Sequence, residues 1–451
     1  MGTRGVVVLV VLVACGDDGP GKLPDAPLAD VAVDAPACPP LGAGTMHGAN
    51  VLADETWTAA ASPHVVTTSI NVRGATLTIE PCAVVRIAPG AIITVGQTPG
   101  AAAAAVVARG DAVRGITFER QAAAMPWGSL RAFPTGTLDL EHVRLTGGAD
   151  PATAQQGGGT IIGAGPGGNT GLTRQLRLVN VTIENSMGYG VNVQTRGAFS
   201  ADSANLTITG GGAVPITVDG AAVSTVPAGT YSGEIRVANA ASLLDPDLAF
   251  RARGVPYHLD GSFSMSPMTS VAAGGASTLT IEPDVTIRMN AGTTFALGSS
   301  NGALPANIFA VRLVAQGTAA APIVLTSSAA TPAAGDWTGL EWHGGAATGN
   351  VMSFVRIEYA GGDSGTAGFG CGEGDNDAAL IIRNWRPDDA FITSSTFANS
   401  ARGGIVSGWF SDLAGPSLLG NNTFTAIANG CNVSRWRNAN SSCPATPPIC
   451  L

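Results

Sequence analysis

One five-residue motif occurs twice in the chain. Leu-Thr-Ile-Glu-Pro fills residues 77–81 and again residues 279–283, and the sequences that follow the two copies run in parallel. Trp-Gly-Ser-Leu at 127–130, for example, corresponds to Trp-Thr-Gly-Leu at 337–340. The chain therefore contains two related halves, and its fold must be one that two copies of the same pattern can build.

Within each half, the smaller unit is a short run with apolar residues at alternate positions. Examples are Thr-Leu-Thr-Ile at 76–79 and Leu-Arg-Leu-Val at 176–179, and such runs end at Gly, Pro, Asn or Asp. Alternation with period two is typical of half-buried strands, and no long segment has helical periodicity. The sequence therefore predicts an all-β protein of many short strands.

Two architectures are built from many short strands, an antiparallel sandwich and a parallel β-helix. Asn-Gly and Asp-Gly hairpin turns between matched strands are scarce, which disfavours the sandwich. Segments such as 180–193 and 391–407 instead align with each other as strand, turn and strand. Because each coil of a solenoid buries its apolar face only against its neighbours, this repetition favours a parallel β-helix, with halves at residues 46–250 and 251–451.

Several motifs together resemble a group of secreted bacterial lipoproteins with a pectin-lyase-like right-handed parallel β-helix. They include Gly-Asp-Trp-Thr-Gly-Leu at 335–340 and Phe-Val-Arg-Ile-Glu-Tyr-Ala-Gly-Gly at 354–362, besides the repeated Leu-Thr-Ile-Glu-Pro. The resemblance covers residues 50–435 and is best in the second half. It implies the fold, and it implies no defined activity.

The N-terminus has the pattern of an export signal. Arg4 precedes an apolar run at 6–13, which is far shorter than the ~20 residues needed to cross a bilayer. Leu-Val-Ala-Cys at 12–15 resembles the bacterial lipobox, which implies a lipoprotein signal peptide at 1–15 and acylation of Cys15; the alternative is an ordinary signal with a chance cysteine. We therefore expect export and lipid anchoring to the cell envelope, with the outer membrane or cell surface favoured.

The segment at 16–45 is rich in Ala, Pro and Asp and has no apolar periodicity. Such a composition buries too little surface to offset the entropy of ordering, so we expect a flexible tether. The net charge of −9, without a basic stripe, excludes nucleic acid as a partner because phosphate binding needs clustered positive charge.

Six cysteines remain besides Cys15, an even number, which predicts disulfides in an oxidising compartment. The spacing favours a bond between Cys38 and Cys82 and leaves the pairing among the last four open. The six are Cys38, Cys82, Cys371, Cys431, Cys443 and Cys450, the last three in a Cys-rich C-terminal end.

Residues repeated with the duplication are candidates for either packing or function. Trp127 and Trp337 are expected to pack between coils or to line a groove, where an exposed indole would stack on a sugar ring. Glu80 and Glu282 precede the proline of the repeated motif and are interpreted as turn residues that accept backbone N–H bonds.

The densest acidic cluster is a candidate calcium site. Asp363, Glu373, Asp375 and Asp377 lie on a Gly-rich segment, and Ca²⁺ prefers six to eight oxygen ligands with flexible geometry. The spacing matches no EF-hand, so the alternative is a solvated loop.

No set of catalytic residues is evident. Lysine occurs only at Lys22, in the tether, the five histidines are scattered, and no Gly-x-Ser-x-Gly motif occurs. Arg383 and Arg386, close to the Asp388-Asp389 pair, keep a polysaccharide lyase or hydrolase open as an alternative.

The predicted function is therefore that of a membrane-anchored, non-catalytic β-helix that binds carbohydrate or another envelope component. A polysaccharide lyase or hydrolase is one alternative, and an adhesin or structural envelope protein is another. Fold alone does not decide among them. A cluster of Asp, Arg and His on one exposed strand face would favour the enzyme, and an aromatic face would favour binding.

Overall fold

The structure is a computed structural model that describes residues 38–451 except 154–157, 169–170, 213, 245–246, 301–303, 346–347, 366–375, 412 and 439–449. Residues Cys38–Leu451 form one compact unit. Over the described residues the secondary structure consists of 39 strands and five 3₁₀-helices. No helix of this part of the chain is long and apolar enough to cross a membrane.

The elements of the first half are strands of three to seven residues with three 3₁₀-helices. In chain order they are β1 (Thr45–His47), β2 (Glu55–Trp57), η1 (Ala59–Ala61), β3 (His64–Val66), β4 (Ile70–Val72), β5 (Thr76–Ile79), β6 (Val84–Ile87), β7 (Ile93–Val95), β8 (Ala104–Arg109), β9 (Ile116–Arg120), β10 (Leu130–Ala132), β11 (Gly136–Glu141), β12 (Val143–Thr146), η2 (Pro151–Thr153), β13 (Gly159–Ala164), β14 (Thr173–Val179), β15 (Thr182–Ser186), β16 (Tyr189–Gln194), β17 (Gly197–Phe199), β18 (Leu206–Gly211), β19 (Ile216–Asp219), η3 (Gly220–Thr225), β20 (Gly229–Tyr231) and β21 (Ile235–Ala238).

The chain continues with β22, which ends the first half, and then with the second half; these strands have two to nine residues and are accompanied by two 3₁₀-helices. They are β22 (Asp247–Phe250), β23 (Tyr257–Leu259), β24 (Phe263–Met265), η4 (Val271–Ala273), β25 (Ala276–Ile281), β26 (Thr286–Met289), β27 (Thr294–Leu297), β28 (Ser299–Ser300), η5 (Pro305–Asn307), β29 (Ile308–Gln316), β30 (Ile323–Ser327), β31 (Gly339–Trp342), β32 (Val351–Ser353), β33 (Val355–Glu358), β34 (Ala378–Arg383), β35 (Ile392–Thr393), β36 (Thr396–Ser400), β37 (Gly403–Trp409), β38 (Thr423–Ile427) and β39 (Arg437–Asn438).

Successive strands go to different sheets, and each strand pairs with the strand one coil away. Among the described residues every strand pair is parallel except β28 with β29. In the first half the coils build a six-stranded sheet (β17-β14-β11-β8-β5-β2), an eight-stranded sheet (β1-β3-β6-β9-β12-β15-β18-β20) and part of a 13-stranded sheet. This arrangement is a parallel β-helix, as the sequence predicted.

The 13-stranded sheet, called the shared sheet below, runs through both halves in the order β38-β36-β33-β30-β26-β23-β21-β19-β16-β13-β10-β7-β4. The second half adds two further sheets, β22-β25-β29-β32-β35 with β28 attached, and β24-β27-β31-β34-β37-β39. Because β21 pairs directly with β23, the two halves form one continuous stack rather than two separate lobes.

The duplicated motif does not enter the same sheets in the two halves. In the first copy β6 lies in the eight-stranded sheet and β7 in the shared sheet, whereas in the second copy β26 lies in the shared sheet and β27 beyond it. The shared sheet thus takes the third strand of each coil in the first half and the second strand in the second half. Where the halves meet, the repeated sequence is therefore displaced by one sheet of the β-helix, so that equivalent strands of the two copies lie in different sheets.

The core is made of inward-facing positions that stack in register from coil to coil. One such row begins at Ile70 and Ile93 and continues through the shared sheet to Phe397, and its members are at most 1% exposed. Burial of each such side chain contributes about 1.5–3 kcal/mol. The row is Ile70, Ile93, Leu130, Ile161, Val191, Ile216, Ile235, Tyr257, Ile287, Leu325, Ile357 and Phe397.

Corners between coils use residues that tolerate the left-handed backbone region. His142, Asn180 and Asn205 occupy successive coils with φ of 49°, 52° and 54°, and Asn205 Nδ2 donates to Asn180 Oδ1 at 2.9 Å. Glu80 and Glu282 accept backbone N–H bonds from Ala59 and Ala252 at 3.0 and 2.8 Å, which confirms their interpretation as turn residues.

Two disulfides lie within the described residues. Cys38 bonds Cys82, the pairing that the spacing favoured, and Cys431 bonds Cys450 near the C-terminus. Cys371 and Cys443 lie outside the described residues.

The inward and outward positions of one strand provide a test of this register. Ile93 is 1% exposed in the inward row, and its neighbour Thr94 faces outward and is half-buried. We expect Ile93→Ala to lower the free energy of unfolding by about 2–5 kcal/mol. The matched control Thr94→Ala should cost less than about 1 kcal/mol, the span of strand propensities. Urea midpoints measure both, and a larger loss for Thr94→Ala would contradict the register.

Candidate functional site

A groove of about 640 Å³ lies along the outer face of the shared sheet, over β16 and β19. Its sides include Phe133 and Tyr189, which are both half-buried and therefore present part of their rings to solvent. Its floor includes the outward-facing Asn192, Thr217 and Asp219, which are 4%, 7% and 8% exposed. A concave surface that combines aromatic sides with a polar floor is a typical ligand-binding site.

Two carboxylates line the groove at the same level of the shared sheet, with one strand between them. Asp219 ends β19 and is in register with Ala238 of β21. Asp260 directly follows Leu259 of β23, whose partner is Val237. The two aspartates are therefore two strands apart, about 9.6 Å between backbones at 4.8 Å per strand.

Local structure fixes the position of Asp219. Its side chain accepts from the backbone N–H of Ala221 at 3.2 Å and so caps the N-terminus of η3. This is the usual role of an N-cap carboxylate, which satisfies a backbone donor that has no partner within the helix.

A network of charged side chains continues the polar face beyond the groove. Arg236 donates to Asp260 through Nε at 2.7 Å. Burial lowers the pKa of Arg236, but the hydrogen bond and the charge of Asp260 together raise it by more than burial lowers it. The net pKa shift is therefore upward, and the guanidinium stays charged.

On the next strands, His258 lies between Glu234 and Asn290. Its Nδ1 is 2.6 Å from Glu234 Oε1, and its Nε2 is 2.7 Å from Asn290 Oδ1. Asn290 Nδ2 donates to the carbonyl of Asp260 and Ser328 Oγ donates to Asn290 Oδ1, which fixes the orientation of the amide. Both ring nitrogens of His258 therefore have an oxygen partner within the cluster.

Asp, Arg and His thus occur together on one exposed strand face, and aromatic rings line the adjoining groove. The first feature favours catalysis by the criterion stated above, and the second favours binding. In this cluster, however, Arg236, His258 and Asp260 are engaged with one another or with Glu234 and Asn290. Such pairing holds the face rigid and supplies an ordered array of donors and acceptors.

The sequence interpretation missed this groove, although a signal for it exists. Aligned by coil, the shared-sheet strands end in Val-Asn-Val-Gln (191–194), Ile-Thr-Val-Asp (216–219), Tyr-His-Leu-Asp (257–260) and Ile-Arg-Met-Asn (287–290). The last residue of each segment is polar and falls at the same edge of the sheet. An alignment of coils would therefore have placed Gln194, Asp219, Asp260 and Asn290 in one row.

Trp127 and Trp337 lie in the core. Both are 0% exposed, and their Nε1 groups donate to the carbonyls of Thr146 and Glu358 at 2.9 and 2.8 Å. Their burial excludes contact with a carbohydrate, so the alternative interpretation, packing between coils, is the one that the structure supports.

The acidic segment is described only in part. Asp363 and Asp377 line one small cavity of about 450 Å³ with Arg402. Asp377 is 4% exposed and accepts from the N–H and hydroxyl of Ser364 at 3.0 and 2.7 Å. Glu373 and Asp375 lie outside the described residues, as does Cys15. Within the described residues no group of three or more metal-ligating side chains occurs.

The arginines on which the alternative of a polysaccharide lyase depends are Arg383 and Arg386. Arg386 Nε donates to the carbonyl of Ala414 at 2.9 Å, and NH1 is 3.4 Å from Asp388. Burial lowers the pKa of Arg383, and the charge of Glu341 opposes this change. Arg386 is thus engaged by contacts within the second half, and Arg383 is half-buried there.

Near the N-terminal end the fold brings two histidines together with a tryptophan. Trp57 is 1% exposed and stacks on His47 and His64, with ring centroids 4.2 and 5.2 Å away. His64 Nε2 lies 2.9 Å from the carbonyl of Thr58, and His64 Nδ1 lies 3.0 Å from His47 Nε2. Sequence spacing gave no indication of this cluster because its residues come from neighbouring coils.

A family model described as a pectate-lyase like beta helix domain matches residues 255–386, within the second half. No curated protein and no solved structure matches the chain significantly. The match agrees with the observed fold, and it covers β23–β34 with Asp260 of the groove, but not β16 or β19.

The histidine cluster predicts a pH dependence of stability. Burial and then the charge of His64 lower the pKa of His47 from 6.5, and Glu55 opposes them. A folded-state pKa below the unfolded value means that the unfolded chain binds more protons, so stability is lost as the pH falls below about 6.5. We expect the melting temperature to fall less between pH 7.5 and pH 5 in His47→Gln than in the unchanged protein. Equal slopes would contradict the assignment, and melting at pH 8 is the reference for each protein.

Proposed function

We propose that this protein is exported, anchored to the cell envelope through acylated Cys15, and binds a neutral polysaccharide in the groove over β16 and β19. The observation that carries the proposal is the combination of half-buried Phe133 and Tyr189 with the polar floor formed by Asn192, Thr217 and Asp219. Such a surface suits sugar rings, which have apolar C–H faces and many hydroxyl groups at their edges.

The charge of the groove selects among polysaccharides. Among its lining residues the charged side chains are Asp219 and Asp260, and its amides come from Asn192, Gln194 and Asn239. Carboxylates accept hydrogen bonds from sugar hydroxyls but repel the carboxylates of uronic acids. A neutral chain therefore fits the groove better than an acidic one.

A polysaccharide hydrolase is the second candidate, because Asp219 and Asp260 line one groove two strands apart. Inverting glycosidases hold their two carboxyl groups roughly 6.5–9.5 Å apart. Against this role, Asp219 caps η3 and Asp260 is hydrogen bonded to Arg236, so both carboxylates have structural partners. Non-catalytic binding is therefore the preferred function, with calcium at the acidic segment as a further variable.

The groove is tested by replacing one aromatic side. We expect Tyr189→Ala to weaken the binding of neutral polysaccharides about tenfold, equivalent to about 1.4 kcal/mol. Met187→Ala is the matched control, since Met187 is 54% exposed on the adjacent turn and does not line the groove. Affinity electrophoresis of the full-length protein against neutral and acidic polysaccharides, with and without Ca²⁺, measures the effect.

The same samples separate the alternatives. Shortening of a bound chain that is lost in Asp219→Asn or Asp260→Asn would identify a hydrolase. Binding of no polysaccharide, with Tyr189→Ala indistinguishable from the unchanged protein, would overturn the proposal and favour an adhesin or a structural envelope protein.

The anchor has its own test. Cys15→Ser removes the acylated thiol, and an envelope lipoprotein is held by two or three acyl chains at ~0.8 kcal/mol per buried CH₂. We expect the protein in the membrane fraction of a bacterial host, and the variant in the soluble envelope fraction. Membrane retention of the variant would contradict lipid anchoring at Cys15.

A further inference from the structure

A second concavity, of about 700 Å³, lies where the two halves meet and shares no lining residue with the groove. It is called the junction pocket here. Its lining includes Arg174 from β14, residues 224–228 at the end of η3 and just beyond it, and Arg251 and Arg253 after β22. The pocket therefore draws side chains from both halves of the chain.

The junction pocket exists because the stack of strands is interrupted there. The six-stranded sheet of the first half ends at β17, and β22 begins a new sheet. Between them η3 supplies side chains instead of a strand. Thr225 Oγ1 accepts from Phe199 N at 3.4 Å and Ser224 Oγ accepts from Ala249 N at 2.7 Å. Hydroxyl groups thus replace the missing ladder bonds, and the absent strand leaves a concave surface.

The three arginines are positioned mainly by backbone carbonyls. Arg253 donates through Nε and NH2 to the carbonyl of Val226 at 2.9 and 2.8 Å, and through NH1 to that of Ala252 at 2.9 Å. Arg174 NH1 donates to the carbonyl of Phe199 at 3.0 Å. A guanidinium has five N–H donors, so Arg253 is fixed in place and keeps donors for a ligand.

The positive charge of these arginines is only partly paired with carboxylates. Several arginines elsewhere pair with carboxylates, as Arg144 does with Glu184 and Arg236 with Asp260. Among the described residues no carboxylate lies within ion-pair distance of Arg174 or Arg253, and Arg251 has a single contact with Glu282 at 3.4 Å. The carboxylate in the lining, Asp247, is exposed and accepts from Thr278 N at 2.8 Å.

We propose that the junction pocket binds the phosphate group of an anionic ligand. Guanidinium groups bind phosphate oxygens through paired, charge-assisted hydrogen bonds, and three converge here in a protein whose net charge is −9. The volume admits a molecule larger than the free ion. A phosphate carried by a sugar and a phosphate carried by a lipid headgroup share this chemistry.

The test uses the full-length protein with Cys15→Ser, so that acyl chains do not mask binding to lipids. Titration calorimetry with inorganic phosphate and with a hexose phosphate measures the soluble ligands. Flotation with phosphatidylcholine vesicles, with and without phosphatidylglycerol, measures the lipid headgroup. We expect binding that weakens as salt is added, because exposed charges are screened.

Arg174→Gln together with Arg251→Gln should weaken binding at least tenfold and leaves Arg253, with its three carbonyl contacts, in place. The matched control is Arg109→Gln with Arg144→Gln, since these arginines are 55% and 51% exposed but pair with carboxylates. It should bind within twofold of the unchanged protein. Circular dichroism melting confirms that both variants are folded.

Binding of either soluble phosphate that only the pocket variant loses would support the proposal for a free or sugar phosphate. Binding only to phosphatidylglycerol vesicles, lost in the same variant, would support it for a lipid headgroup. No binding of any phosphate, or equal binding by both variants, would overturn it. None of these outcomes depends on Tyr189 or on polysaccharide, so this proposal and the proposed function fail independently.

Discussion

Parallel pairing between successive coils is the constraint on which the other features depend. A coil of three short strands cannot bury its inner face alone, and only its neighbours supply the missing contacts. The row from Ile70 to Phe397 shows the result, since each inward side chain lies on the equivalent side chain of the next coil. A one-residue slip anywhere would turn an apolar row toward solvent, so the same register that builds the core also decides which residues reach the surface.

Fold class was predictable because it depends on local patterns that repeat many times. Alternation in runs such as 76–79, the scarcity of hairpin turns and the duplicated motif all indicated stacked parallel strands before any contact was known. The Cys38–Cys82 bond was likewise favoured by spacing. The signals for the strands are carried by residues that lie close together in sequence or recur along the chain.

The site was not predictable in the same way, because it depends on which residues of different coils share one level of a sheet. Trp127 and Trp337 were candidates for function because they are repeated with the duplication. Both indoles are buried, so their repetition reflects packing in the core. Asp219 and Asp260 belong to different coils and come together only through the pairing of β19, β21 and β23. Register is a property of the assembled stack, which a single run of residues does not encode.

Because the repeat is displaced by one sheet of the β-helix, equivalent residues of the two copies have different neighbours. Arg86 of the first copy lies in the eight-stranded sheet and pairs with Glu119, whereas its counterpart Arg288 lies in the shared sheet near Glu234. The two related sequences therefore have different surroundings in the folded protein. Duplication of such a sequence therefore enlarges the scaffold without copying its outer surface, and each half presents its own set of side chains to solvent.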